Sequence, residues 1–170
     1  MSFIKKITMN KTTIAKGIFA GFIATLALTV LMIMKKTMGV MPTLDPVHMM
    51  SDMVAAKMGI SPNVVIGWFM HFGIGAVAWG GAFAVFNQLL PTSSQVNKGI
   101  TLGTIAWFMM MIGPMPMSGA GLFGLSLGVM APVITLVLHL VYGVVLGAVF
   151  TKLTQENIHG LAVKTSKATA

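Results

Sequence analysis

The chain of 170 residues has no cysteine, no arginine and only three acidic side chains, Asp45, Asp52 and Glu156. The missing thiols exclude disulfides, thiolate metal sites, iron–sulfur clusters and cysteine nucleophiles. Without arginine, the planar fork that suits nucleic-acid phosphates and buried carboxylates is missing too. Charge of either sign is scarce: 8% of the residues are charged, against about 25% in an ordinary soluble domain. So little charge cannot cover the single core of a soluble chain of this size. Eleven lysines leave a net charge of +8, which suits a bilayer with anionic lipid headgroups rather than nucleic acid.

What is present is hydrophobic, at 56% of the residues. No Asp, Glu or Lys occurs from Gly17 to Met34, from Met58 to Asn97 or from Gly99 to Thr151. About 20 apolar residues cross a bilayer as a helix, so the last stretch must fold back. Pro114, Pro116 and the glycines 119, 121 and 124 supply the break. The spacing predicts helices at about 13–38, 63–90, 98–113 and 129–152, a single membrane domain over 1–170, and tails at 1–12 and 153–170. The first run is longer than a signal-peptide core and ends in Lys35 and Lys36, so it is read as an uncleaved helix.

Four crossings put both termini on one side, with Lys5, Lys6, Lys11, Lys16, Lys98, Lys152, Lys164 and Lys167, and leave Lys35, Lys36 and Lys57 on the other. Lysine excess marks the cytoplasmic face, so both termini are expected in the cytoplasm. Between helices one and two, Asp45 followed by Pro46 reads as an N-cap and first helical residue, and Gly59 as a stop, which predicts a short interfacial helix.

The chain repeats itself. Lys16-Gly-Ile-Phe-Ala-Gly-Phe-Ile-Ala24 matches Lys98-Gly-Ile-Thr-Leu-Gly-Thr-Ile-Ala106, and His71-Phe-Gly-Ile-Gly-Ala-Val77 matches His139-Leu-Val-Tyr-Gly-Val-Val145. Helix one therefore pairs with helix three at a shift of 82, and helix two with helix four at a shift of 68. The expected fold is an all-α integral membrane four-helix bundle made of two parallel duplicated helical hairpins, about 13–90 and 98–152, plus the interfacial helix. Three GxxxG pairs, Gly17/Gly21, Gly99/Gly103 and Gly143/Gly147, allow close backbone approach between helices.

The Lys-Gly-Ile-x-x-Gly opening, the Met-Pro-x-Leu-Asp exit, His-Phe-x-Ile-Gly, Gly-Ala-Gly-Leu-Phe-Gly and Ala-Pro-Val-x-Thr-Leu-Val-Leu-His-Leu-Val-Tyr-Gly stand in this order. Together they resemble a family of small bacterial four-helix inner-membrane proteins classed as a domain of unknown function. The resemblance covers about 13–152. It implies location and architecture, and carries over no catalytic or binding residue.

His71 and His139 are the ionisable residues well inside the spans, and an intramembrane ionisable group is a functional hypothesis by default. The repeat register would place them at equal depth. Two neutral imidazoles could hold haem b axially, with Gly75 and Gly143 leaving a slot for the macrocycle and Lys35, Lys36 or Lys57 meeting its propionates. With Met109, Met110 and His48 they could instead hold Cu(I), which favours thioether and imidazole ligands. The structural alternative is that each histidine bonds a neighbouring helix, Thr135 relieving His139. Methionine, at 17 residues, clusters at the exits of helices one and three and in the first connector, where it suits packing as well as metal binding. Asp45, His48 and Asp52 share a face of the short helix.

No intramembrane carboxylate pair, Ser-His-Asp set, phosphate loop or dinucleotide fingerprint is present in the sequence. The expectation is a non-enzymatic structural or accessory membrane component, packing on itself as a homo-oligomer or on a larger membrane complex. The alternative is haem b or Cu(I) binding between His71 and His139.

Overall fold

The computed structural model describes residues 11–90 and 92–168, with side chains described through Gln155. Its helices are α1 (Lys11–Thr37), α2 (Pro46–Met58), α3 (Val64–Phe86), α4 (Gln95–Ile112), α5 (Pro114–Met117) and α6 (Ala131–Ala168). No strand occurs among the described residues. Four of these segments are long and apolar enough to cross a membrane: Lys11–Thr37, Val64–Phe86, Gln95–Met117 and Ala131–Gln155. The predicted tail at 1–12 falls mostly outside the described residues. The one predicted at 153–170 is helix as far as Ala168. No proline follows Pro132, and Leu, Ala, Lys and Gln all favour continuation there.

The short helix forms as its caps dictate. Asp45 accepts from the His48 amide at 3.2 Å, Pro46 takes the first turn, and Gly59 stops the helix in the left-handed region at φ 67°. At the predicted break, α4 ends at Gly113, the two prolines sit in α5, and a 3₁₀ stretch, Leu122–Leu127, contains Phe123 and Gly124 at positive φ.

The spans pack in the order α3, α1, α6, α4, with α2 against α3. Small residues make both hairpin contacts. A methyl group on Gly17 would meet the Gly80 carbonyl and Ala84, and one on Gly99 would meet the Gly143 carbonyl and the Gly147 amide. Gly21 likewise lies against Gly75, Ala76 and Gly80, and Gly103 against the His139 carbonyl. These crossings match each other at a shift of 82 between α1 and α4, but of 63 between α3 and α6. The histidine pairing at a shift of 68 is thus corrected. Ala76, not His71, occupies the place equivalent to His139, because backbone-to-backbone glycine contacts set the register and His71 lies nine residues before Gly80 whereas His139 lies four before Gly143. Five residues exceed one helical turn.

Beyond the hairpins, α1 packs along α6, while α3 and α4 make no comparable contact. Among the described residues, hydrogen bonds link them near their short connection, where the Asn87 and Gln95 amides pair at 2.6 and 3.2 Å and Lys98 Nζ donates to the Asn87 carbonyl at 2.6 Å. Lys16 plays a similar part on α6, donating to the Leu153 carbonyl at 2.7 Å. Lys98 thus meets a carbonyl just past the C-terminus of α3, where the helix dipole is negative, whereas Lys16 meets one inside α6. Above them lies a core of Ala20, Ala24, Phe83, Leu102, Tyr142, Leu146 and Phe150, with the Phe83 and Phe150 rings edge to face at 5.2 Å. Further toward α2, the space between α3 and α4 stays open.

Candidate functional site

That opening is a cavity of about 640 Å³. Every span contributes to its wall: Thr25, Leu28 and Met32 from α1, His71, Ile74, Gly75 and Trp79 from α3, Ala106, Met109 and Met110 from α4, and Thr135, Leu138, His139 and Tyr142 from α6. Helix α2 adds Pro46, Met49, Met50 and Met53, and Met115 and Ser118 complete the α2 end. Seven of the lining residues are methionines, so the wall is polarisable and adapts its shape to what it touches.

Hydrogen bonding fixes both imidazoles. His139 Nδ1 lies 2.8 Å from the Thr135 carbonyl, which can only accept, so Nδ1 carries the hydrogen and Nε2 the lone pair. Thr135 therefore does relieve His139, through its backbone. Its hydroxyl in turn donates to the Ala131 carbonyl at 2.7 Å and receives the Trp107 indole at 3.2 Å, which locks this turn of α6. His71 Nε2 lies 3.0 Å from Thr29 Oγ1. The Thr29 hydroxyl gives its one proton to the Thr25 carbonyl at 2.8 Å, so it accepts from His71, whose lone pair is then on Nδ1. No carboxylate lines the cavity.

The segment between His71 and the Gly80 crossing, Gly73–Trp79, is π-helical. Such wide turns arise where neighbours intrude on the backbone ladder and are frequent at functional sites. Here the Thr25 side chain abuts Gly75, whose carbonyl accepts from both the Gly80 amide and the Tyr142 hydroxyl, the latter at 2.6 Å.

These contacts remove the slot expected for a macrocycle. The open side of Gly75 is filled by Thr25 and that of Gly143 by Gly99, because both glycines serve helix packing. Two of the three expected propionate partners, Lys35 and Lys36, are engaged as well. Lys35 Nζ donates to the carbonyls of Val40, Met41 and Leu44 at 3.1, 2.8 and 2.8 Å, and Lys36 pairs with Asp45 at 2.8 Å. The cavity brings together His71, His139, Met109, Met110 and Gly75, but not His48, whose ring bonds Asp45 at 2.9 Å on the surface. Among the described residues no cluster of three or more His, Asp or Glu could hold a metal ion, so the Asp45, His48 and Asp52 face does not form one. Burial alone would raise the Asp45 carboxyl, but hydrogen bonds from Lys36 and from the His48 amide and ring outweigh it and hold it below its ordinary value.

Residues 11–160 match a family model described as a family of unknown function, DUF6789. The chain belongs to that family. No curated protein and no solved structure matches it. The family's description assigns no activity, and the matched residues hold the four spans and the whole cavity wall.

Sequence reasoning did not single out Tyr142, Trp79, Thr25 or Thr29. A signal existed for the first: the one tyrosine of the chain stands three residues after His139, on the same helical face. Trp79 and Tyr142 also occupy equivalent places in the register of 63 set by the glycine crossings. The Thr25 and Thr29 contacts depend on how α1 is rotated against α3, which the spacing of residues leaves open.

Proposed function

We propose that this is a non-enzymatic, multi-pass protein of the bacterial inner membrane, with both termini cytoplasmic, and that it binds a small, largely apolar molecule within its bundle. The observation that carries this reading is the cavity between α3 and α4. Its volume lies within the roughly 300–1,000 Å³ of small-molecule sites, and its wall has the expected character, apolar with a few placed polar groups. A helix bundle serving only as a scaffold gains most from closing α4 onto α3, since packing is what drives helix association in lipid. Here the α1–α6 contact is made and the α3–α4 contact is not. Exposed lysines at the bundle ends favour anionic lipids as the surroundings.

Organic extraction of the purified protein followed by mass spectrometry tests the reading. One compound near one copy per chain is the expected result, and its loss in Ala106→Phe, which narrows the cavity, would place it there. Recovery of bulk lipid alone would return the protein to the accessory role, as a homo-oligomer or part of a larger membrane complex. The seven methionines beside two imidazole lone pairs favour Cu(I) as a second reading, which copper analysis of the same sample checks.

A further inference from the structure

The hydrogen-bonding state of the cavity wall restricts its occupant further. Its hydroxyl protons are all directed at backbone carbonyls: Thr25 to Gly21 at 2.7 Å, Thr135 to Ala131 at 2.7 Å, Tyr142 to Gly75 at 2.6 Å and Ser118 to Met115 at 2.9 Å. The imidazole N–H groups are committed as well, to Thr135 and Thr29. What is left on the histidines is one lone pair each, on His139 Nε2 and His71 Nδ1.

Among the described residues, no buried side-chain nitrogen or oxygen lacks a partner. Neither of these two nitrogens is bonded, so both have accessible surface, and the cavity is the space that their residues line. Trp79, with an indole N–H that makes no hydrogen bond, lines it too. A ligand that only accepts hydrogen bonds would leave the two imidazole lone pairs facing apolar surface, which costs the desolvation of each. An anion would find no cationic side chain on the wall.

We infer that the cavity selects an apolar molecule bearing a hydroxyl group, alcoholic or phenolic, whose proton is accepted by the lone pair of His139 Nε2 or His71 Nδ1. A hydroxyl is both donor and acceptor, so it also satisfies the Trp79 indole where it reaches it. The Thr135 and Thr29 bonds hold the rings in the accepting tautomer, and the methionines accommodate the apolar body. This inference rests on the binding reading above and names the chemistry of the ligand.

Equilibrium dialysis against protein in lipid nanodiscs, with empty nanodiscs as the partition blank, separates the two. The probes are 4-octylphenol and its methyl ether, which share an apolar body and differ in that a methyl group replaces the hydroxyl proton. The phenol is expected to saturate near one per chain and to bind about tenfold more tightly than the ether. In His71→Leu/His139→Leu that ratio is expected to fall to about one, the phenol losing its acceptor and the ether no longer facing two unpaired lone pairs. If neither probe saturates above the blank, the binding reading itself fails. If both bind equally, the site exists but its selectivity for a hydroxyl is overturned. Retention of the ratio without the histidines overturns their role as acceptors, and one Cu(I) per chain in the purified protein assigns the lone pairs to a metal and overturns the inference. Should the double variant misfold, the phenol-to-ether ratio in the unsubstituted protein decides the selectivity, and the same ratio in His139→Leu alone decides the acceptor role.

Discussion

The Tyr142 hydroxyl donates to the Gly75 carbonyl at 2.6 Å, tying α6 to the π-helical stretch of α3 along the cavity wall. The same carbonyl accepts from the Gly80 amide, so Tyr142→Phe removes one of its two donors rather than orphaning it. A loss of about 1 kcal/mol is expected, read as the shift in the unfolding midpoint in mixed micelles. An unshifted midpoint would show that the bond does not contribute to holding the two spans together.

Glycines in contact and glycines in the open should respond with opposite signs. Gly99→Ala places a methyl group on the Gly143 backbone, which cannot swing aside, and is expected to destabilise by roughly 1–3 kcal/mol. Gly73 is helical at φ −61° with nothing near its missing side chain, so Gly73→Ala should stabilise by about 0.4–1 kcal/mol. Thermal unfolding in detergent checks both, and equal shifts would contradict the glycine crossing.

Docking of α2 should depend on pH through Asp45. Its carboxyl titrates below the ordinary value of 3.8 in the folded protein, so the carboxylate's contribution is full above that value and is lost as pH falls through the folded one. A spin label on Lys57→Cys is expected to gain a mobile component only in strong acid, and Asp45→Asn should show it at pH 6. Identical spectra for both proteins across this range would mean that the Lys36, Asp45 and His48 contacts do not hold the helix.

Reporter fusions test orientation. Fusions after Lys57 and Gly121 are expected on the periplasmic side and a fusion after Thr92 in the cytoplasm, because the lysines concentrate on the side of Lys16 and Lys98. The reverse pattern would overturn the lysine-based assignment.

Membrane class, four spans and the α2 caps were legible in the residues because each depends on short-range chemistry. Charge-free runs set the spans, Asp45, Pro46 and Gly59 set α2, and Pro114 with its neighbouring glycines set the break. The GxxxG pairs likewise announced close contacts, since only a missing side chain permits them. Which helix each pair would meet was decided by tertiary packing. So was the register: matching His71 with His139 follows local identity, whereas Gly80 against Gly17 and Gly143 against Gly99 set the actual shift of 63. The slot read into Gly75 and Gly143 was likewise absent, because a glycine looks the same in sequence whether its open side faces a ligand or a neighbouring helix. Residue types alone placed two histidines and many methionines in one membrane. That they line a single cavity follows from α3 and α4 standing apart while α1 and α6 close, a choice made by contacts between residues far apart in the chain.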